Sequence, residues 1–144
     1  TMSDGSDRRV PAFTAAAVAA SAAVVPGRVD AAEFRRTLGR WATGVAMVTT
    51  IDADGAPVGI TVNSLSSVSL DPPLLLWSID HRASCLPAFR AAAAFAVNVL
   101  PASAAELCRR FSRREPDRFA GVPHEIGPLG MPLLRGMLGH LCCR

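Results

Sequence analysis

The chain has 144 residues and a mass of 15.1 kDa, enough for one domain with one core and too short for two. Half of it is hydrophobic, which argues against disorder, although the 25 Ala residues inflate that fraction without filling much volume. The net charge is +3, all 15 basic residues are Arg, and aromatics make up 6%, so the dense basic and aromatic face of a nucleic-acid binder is missing.

Residues 1–28 differ from the rest. Asp4, Asp7, Arg8 and Arg9 precede an Ala/Val stretch from Ala12 to Val25, closed by Pro26-Gly27. A twin Arg before a short apolar run has the outline of an export signal. Acidic neighbours and Pro11 argue instead for a flexible Ala-rich extension, with the folded domain at 29–144.

Asp30 and Glu33 have capping-box spacing, and Phe34, Leu38 and Trp41 recur at helical intervals, predicting a helix over 31–41. Val45 to Ile51 is β-branched and apolar and predicts a strand. Asp52-Ala53-Asp54-Gly55 is a hairpin turn, and Pro57 to Asn63 returns as its partner. Val68 to Leu70 continues extended, and Asp71-Pro72-Pro73 forces a rigid link. Leu74 to Ile79 is continuously apolar and reads as a strand buried on both faces.

A short helix is expected over 82–90 with Ser84 as cap, then a strand from Phe95 to Leu100. Ser103 and Glu106 form a second capping box, opening a helix that turns Leu107 and Phe111 inward. Glu115 to Gly130 reads as irregular, and Leu133 to Cys143 as a strand pair kinked at Gly. Hairpins and short links dominate over β-α-β crossovers. The fold class expected is therefore mostly β, an antiparallel sheet or β-barrel with peripheral helices.

No apolar run has the length and purity of a membrane span, so no membrane partner is expected. Cys85, Cys108, Cys142 and Cys143 contain no C-x-x-C, and His81, His124 and His140 are scattered. That argues against a zinc site or a disulfide framework and for a reducing, cytoplasmic compartment.

No nucleophile-base pair, Walker loop or dinucleotide fingerprint stands out, so no catalytic residue is named. Three segments carry usable chemistry. The run from Thr61 to Ser69 is rich in hydroxyls, with Thr61 and Asn63 on one side, and suits a phosphate, a heterocycle edge or simply water. Arg109-Arg110-Phe111 combines a donor fork with a ring, and equally reads as a solvated helix face. Ser78 to Asp80, followed by Ser84 and Cys85, is a strand-to-helix joint that suits an anion or merely a cap.

Read together, these segments resemble the short-chain flavin reductase family, the reductase components of two-component flavin-dependent monooxygenases. The resemblance rests on Phe34 to Val45, Val48 to Thr50, Pro57 to Ser64, Ser67 to Leu74, Phe95 to Leu100, Arg110-Phe111 and Asp117 to Gly121, in family order across Asp30 to Cys143.

It implies an FMN-binding split β-barrel and a cofactor site at Pro57, Val58, Gly59, Ile60, Thr61, Asn63, Ser64, Ser78, Ile79, Asp80, Ser84, Cys85, Arg110 and Phe111. In that site Gly59 would admit the flavin ring, Asn63 and Ser64 would bond its edge or side arm, and Ser84 and Arg110 would hold phosphate. Cys85 stands where the family often has a hydroxyl residue. The implied activity is hydride transfer from NADH or NADPH to FMN or FAD, supplying reduced flavin to a separate monooxygenase, in a homodimer. The family continues past Cys143 through a Gly-Asp-His segment tied to nicotinamide binding, so the domain is expected to be incomplete at its carboxyl end. The alternatives are a flavin carrier or sensor without reductase activity, or an inactive fragment.

Overall fold

The computed structural model describes residues 30–113 and 117–144. The 1–28 segment, with its export-signal reading, lies outside the described residues. The chain divides into two compact units, Thr1–Arg40 and Trp41–Arg144.

In the first unit, helix α1 (Ala31–Leu38) begins as its sequence predicts. One Asp30 carboxylate oxygen accepts the N–H groups of Ala32 and Glu33 at 3.0 and 2.9 Å. The helix stops three residues before the expected Trp41, where Gly39 N–H donates to the Arg35 carbonyl at 2.9 Å. No residue of α1 is buried, including Phe34 and Leu38.

The second unit is built on a four-stranded antiparallel sheet in the order β2-β1-β5-β8. Its strands are β1 (Ala46–Ile51), β2 (Pro57–Val62), β5 (Phe95–Val99) and β8 (Gly139–Cys143). Between them in sequence come the hairpin β3 (Ser66–Leu70) and β4 (Pro73–Leu76), helix α2 (Leu86–Ala91), helix α3 (Ala105–Ser112), and the pair β6 (His124–Ile126) and β7 (Pro132–Leu134). The fold is mostly β with peripheral helices. Among the described residues the three sheets do not join into a closed barrel.

The β1–β2 turn forms as expected. One Asp52 carboxylate oxygen accepts Asp54 and Ala56 N–H at 3.0 and 2.9 Å, and Gly55 takes the positive φ of 82° that the turn demands. Strand alternation then separates two cores. Met47 packs with Phe111, Phe119, Val122 and Leu134 on one face. Ala46, Val48, Val62 and Val97 pack on the other, against Trp77, Phe89 and Phe95.

A buried polar network ties β7 to the first face. Asn98 donates through Nδ2 to the Met47 carbonyl and to Thr49 Oγ1, both at 3.0 Å, and accepts Leu134 N–H at 2.8 Å. Thr49 Oγ1 donates to the Pro132 carbonyl at 2.6 Å.

Several expectations are corrected. The 74–79 run is not a doubly buried strand: β4 ends at Leu76 and pairs only with β3, which leaves Leu74 and Leu76 exposed. Helix α2 starts four residues late, with Cys85 rather than Ser84 at its N-cap, because Asp80 organises residues 80–83 into a turn of their own. The Ser103 capping box does not form. A 3₁₀ turn over Ala102–Ala104 precedes α3, and Glu106 pairs with Arg109 at 2.6 Å, which lowers its carboxyl pKa. The last two strands do not pair with each other: β7 joins β6, in the stretch expected to be irregular, while β8 joins β5. No helix among the described residues is long and apolar enough to cross a membrane.

Candidate functional site

As an edge strand, β2 directs alternate main-chain N–H and C=O groups away from β1. Three cavities surround it. One of about 240 Å³ is lined by Ile60 and Thr61, by Ala83 to Cys85 ahead of α2, and by the end of α3 with Arg118. A second of about 500 Å³ shares Ser84, Cys85 and Arg118 with the first, then runs past Val58 to the Asp52–Asp54 turn and the Pro87–Ala91 side of α2. A third of about 270 Å³ lies between Pro57–Gly59 and Asp117–Phe119.

Arg118 lines all three cavities. Its Nη1 donates to the carbonyls of Phe111 and Arg113 at 3.1 and 3.4 Å, satisfying the carbonyl end of α3. These two bonds hold a half-buried guanidinium at the centre of the groove. In the sequence this residue's only signal is membership of the Asp117 to Gly121 run, which says nothing of where the side chain lies.

The expected phosphate ligand Arg110 is placed outside the lining of the groove. Its Nη2 donates to the carbonyls of Ala120 and Asp117 at 2.6 and 3.5 Å. It thereby anchors the turn that carries Arg118.

Phe111 lines the smallest of the three cavities, but it is 1% exposed and meets Phe119 edge-on at 4.9 Å, so little of its ring is open there. The same pair explains Gly59: a Cβ there would stand 2.9 Å from Phe111 Cε1 and 3.1 Å from Phe119 Cε2. The close approach that requires glycine is that of the two core rings.

The remaining expected residues fall into two groups. Val58, Ile60, Thr61, Ser84 and Cys85 line the first two cavities, and Pro57, Val58 and Gly59 the third. Thr61 Oγ1 donates to the Cys108 carbonyl at 3.3 Å, which leaves its oxygen able to accept.

Asn63, Ser64, Ser78, Ile79 and Asp80 line none of these cavities and form an adjoining loop cluster. Ser78 N–H donates to Ser64 Oγ at 2.9 Å, and that hydroxyl donates to the Ser78 carbonyl at 3.3 Å. Asp80 pairs with Arg82 at 2.9 Å, and the Arg82 hydrogen bonds hold its carboxyl well below the usual carboxylate range. Asn63 is exposed and Ile79 half-buried.

Comparison with known proteins gives this arrangement a context. Residues 38–144 match the family model described as flavin reductase like domain. The chain is 40% identical over 126 residues to the reductase subunit of a flavin-dependent monooxygenase from Rhodococcus jostii, covering 88% of this chain and 64% of that protein. It is 44% identical over 120 residues to an FMN reductase (NADH) from Agrobacterium fabrum, covering 83% of this chain and 68% of the relative.

Among solved structures, an NADH:FAD oxidoreductase from Streptomyces globisporus, in complex with NAD and FAD fragments, superposes with a TM-score of 0.73 at 37% identity. That match covers 79% of this chain and 68% of the other. The chain thus spans about two thirds of the length of these relatives. With the family model matched over all of the second unit, the chain belongs to the flavin reductase-like domain family.

Proposed function

We propose that the protein is an NAD(P)H-dependent flavin reductase, which passes a hydride from NADH or NADPH to FMN or FAD and supplies the reduced flavin to a separate monooxygenase component. The observation that carries this reading is the groove along the β2 edge, with an arginine at its centre, in a chain matched to reductases over its whole second unit. We extend the fold to the FMN-binding split β-barrel, of which the described strands would be an open part. A cytoplasmic homodimer is part of the proposal, supported by the apolar residues Val68, Leu70, Leu74 and Leu76 exposed on the β3–β4 hairpin.

The groove fits a flavin. The outward main-chain groups of β2 are donors and acceptors of the kind that pair with a heterocycle edge, beside the half-buried Ile60 and the Thr61 oxygen. Arg118 and the exposed Ser84 supply a cation and a hydroxyl for phosphate. The Ser64–Ser78 clasp and the Asp80–Arg82 pair position the loop that leads into the Ser84 joint.

When bound, the flavin and the nicotinamide supply the redox chemistry between nicotinamide C4 and flavin N5. The chain's contribution is then binding, orientation and exclusion of side reactions, and the missing acid-base pair becomes intelligible. The test is oxidation of NADH or NADPH by the isolated protein on addition of FMN or FAD. Flavin binding with no nucleotide oxidation would replace this reading with that of a carrier.

A further inference from the structure

We propose that Asp117 is a positioning residue for Arg118, its left-handed backbone aiming that guanidinium into the groove; this rests on the reading of the β2 edge as the flavin site. Among the described residues only Asp117 and Leu129 combine a side chain with a positive φ, of 50° and 66°. That region crowds Cβ against the backbone, and Asp and Asn enter it more readily than other residues with a side chain. Asp117 is exposed, so burial of its own side chain does not account for the conformation. Its place in the chain does. Asp117 directly precedes Arg118 and opens the turn that Ala120 N–H closes on the Asp117 carbonyl at 3.2 Å.

Two arginines clasp this turn reciprocally. Arg110, from α3, donates to the turn carbonyls of Asp117 and Ala120 at 3.5 and 2.6 Å. Arg118, from the turn, donates back to the carbonyls of Phe111 and Arg113 at 3.1 and 3.4 Å. Phe119, one residue on, is buried and meets Phe111 edge-on. The dihedral at 117 sets the direction in which residues 118–120 leave. A negative φ there would swing Arg118 off the end of α3 while Arg110 and Phe119 hold the rest of the turn in place. The left-handed step and the clasp therefore require each other. Both Arg118 bonds run through Nη1, so the donors at Nε and Nη2 remain for an anion in the groove.

The test compares FMN with riboflavin, which lacks the phosphate, by quenching of flavin fluorescence on titration with the protein. The wild type is expected to favour FMN about tenfold or more. Asp117→Val introduces a β-branched residue, for which a positive φ is least accessible. It should cut the preference to within about threefold, while riboflavin affinity stays within about twofold of the wild type. Asp117→Asn keeps access to the left-handed region and should retain the wild-type preference. A role in stability alone would lower the melting temperature of Asp117→Val without moving the FMN-to-riboflavin ratio. Where Asp117→Val does not fold, Asp117→Ala, disfavoured there more mildly, should lower the ratio by about threefold. An undiminished ratio in the folded Val or Ala variant, or an equal loss in Asp117→Asn, would overturn the inference and leave the flavin site standing. So would a wild type that does not distinguish FMN from riboflavin. Failure of both flavins to bind would overturn the site and the inference together.

Discussion

Asn98 is the residue whose removal tests the architecture most directly. Its side chain is fully buried and makes three hydrogen bonds, two donated through Nδ2 and one accepted from Leu134 N–H at 2.8 Å. Asn98→Ala leaves the buried Leu134 N–H without that partner, at about 1–3 kcal/mol for a stranded donor. The lost contacts of the missing amide bring the total to about 2–4 kcal/mol. Thr49 is partly protected, since its own donation to Pro132 survives.

For a domain of this size that loss corresponds to a melting temperature lower by roughly 8–20 °C, read by circular dichroism. Hydrogen exchange at Leu134 N–H should accelerate with it. Asn98→Asp keeps the acceptor but aims a carboxyl at the Met47 carbonyl. Burial raises the pKa of such a group in the folded state, so its stability holds below about pH 4 and falls as pH rises towards neutrality. A melting temperature for Asn98→Ala within about 2 °C of the parent would refute the reasoning that this network fastens β7 to the sheet.

Gly59→Ala places a Cβ 2.9 Å from Phe111 Cε1 and should destabilise by about 1–3 kcal/mol in denaturant melts; an unchanged midpoint would mean the rings give way freely. Arg118→Met removes the groove's central guanidinium and should weaken FMN and FAD binding by about 10- to 100-fold in fluorescence titrations. Arg110→Met should weaken it less, since Arg110 acts through the turn it anchors; equal losses would remove that distinction. The Cys143 thiol is pushed up by burial and, secondarily, by Cys142, so less of it is thiolate at a given pH. Iodoacetamide at pH 8 should therefore label Cys143 more slowly than a free peptide thiol, with the gap closing as pH rises and narrowing in Cys142→Ser, as followed by peptide mass mapping.

Local signals determined the local structure. The β-branched run at 45–51, the Asp-Gly turn and the Asp30 cap each act through residues a few positions apart, and their elements form within a residue or two of expectation at those points. Where local signals compete, the sequence does not rank them, as at Ser84, where the Asp80 turn delays the helix.

What the tertiary structure alone decided was the assignment of work among side chains that look alike in sequence. Arg110 and Arg118 are both arginines in matched segments and each donates to two main-chain carbonyls, yet only Arg118 lines the groove. Gly59 reads as room for a ligand until Phe111 and Phe119, more than fifty residues away, are found against it. Partners for β7 and β8, and the exposure of Leu74 and Leu76, likewise depend on which strands meet across the chain. Periodicity records how a segment relates to its own neighbours, whereas burial and pairing are set by residues distant in sequence, whose positions only the folded chain specifies.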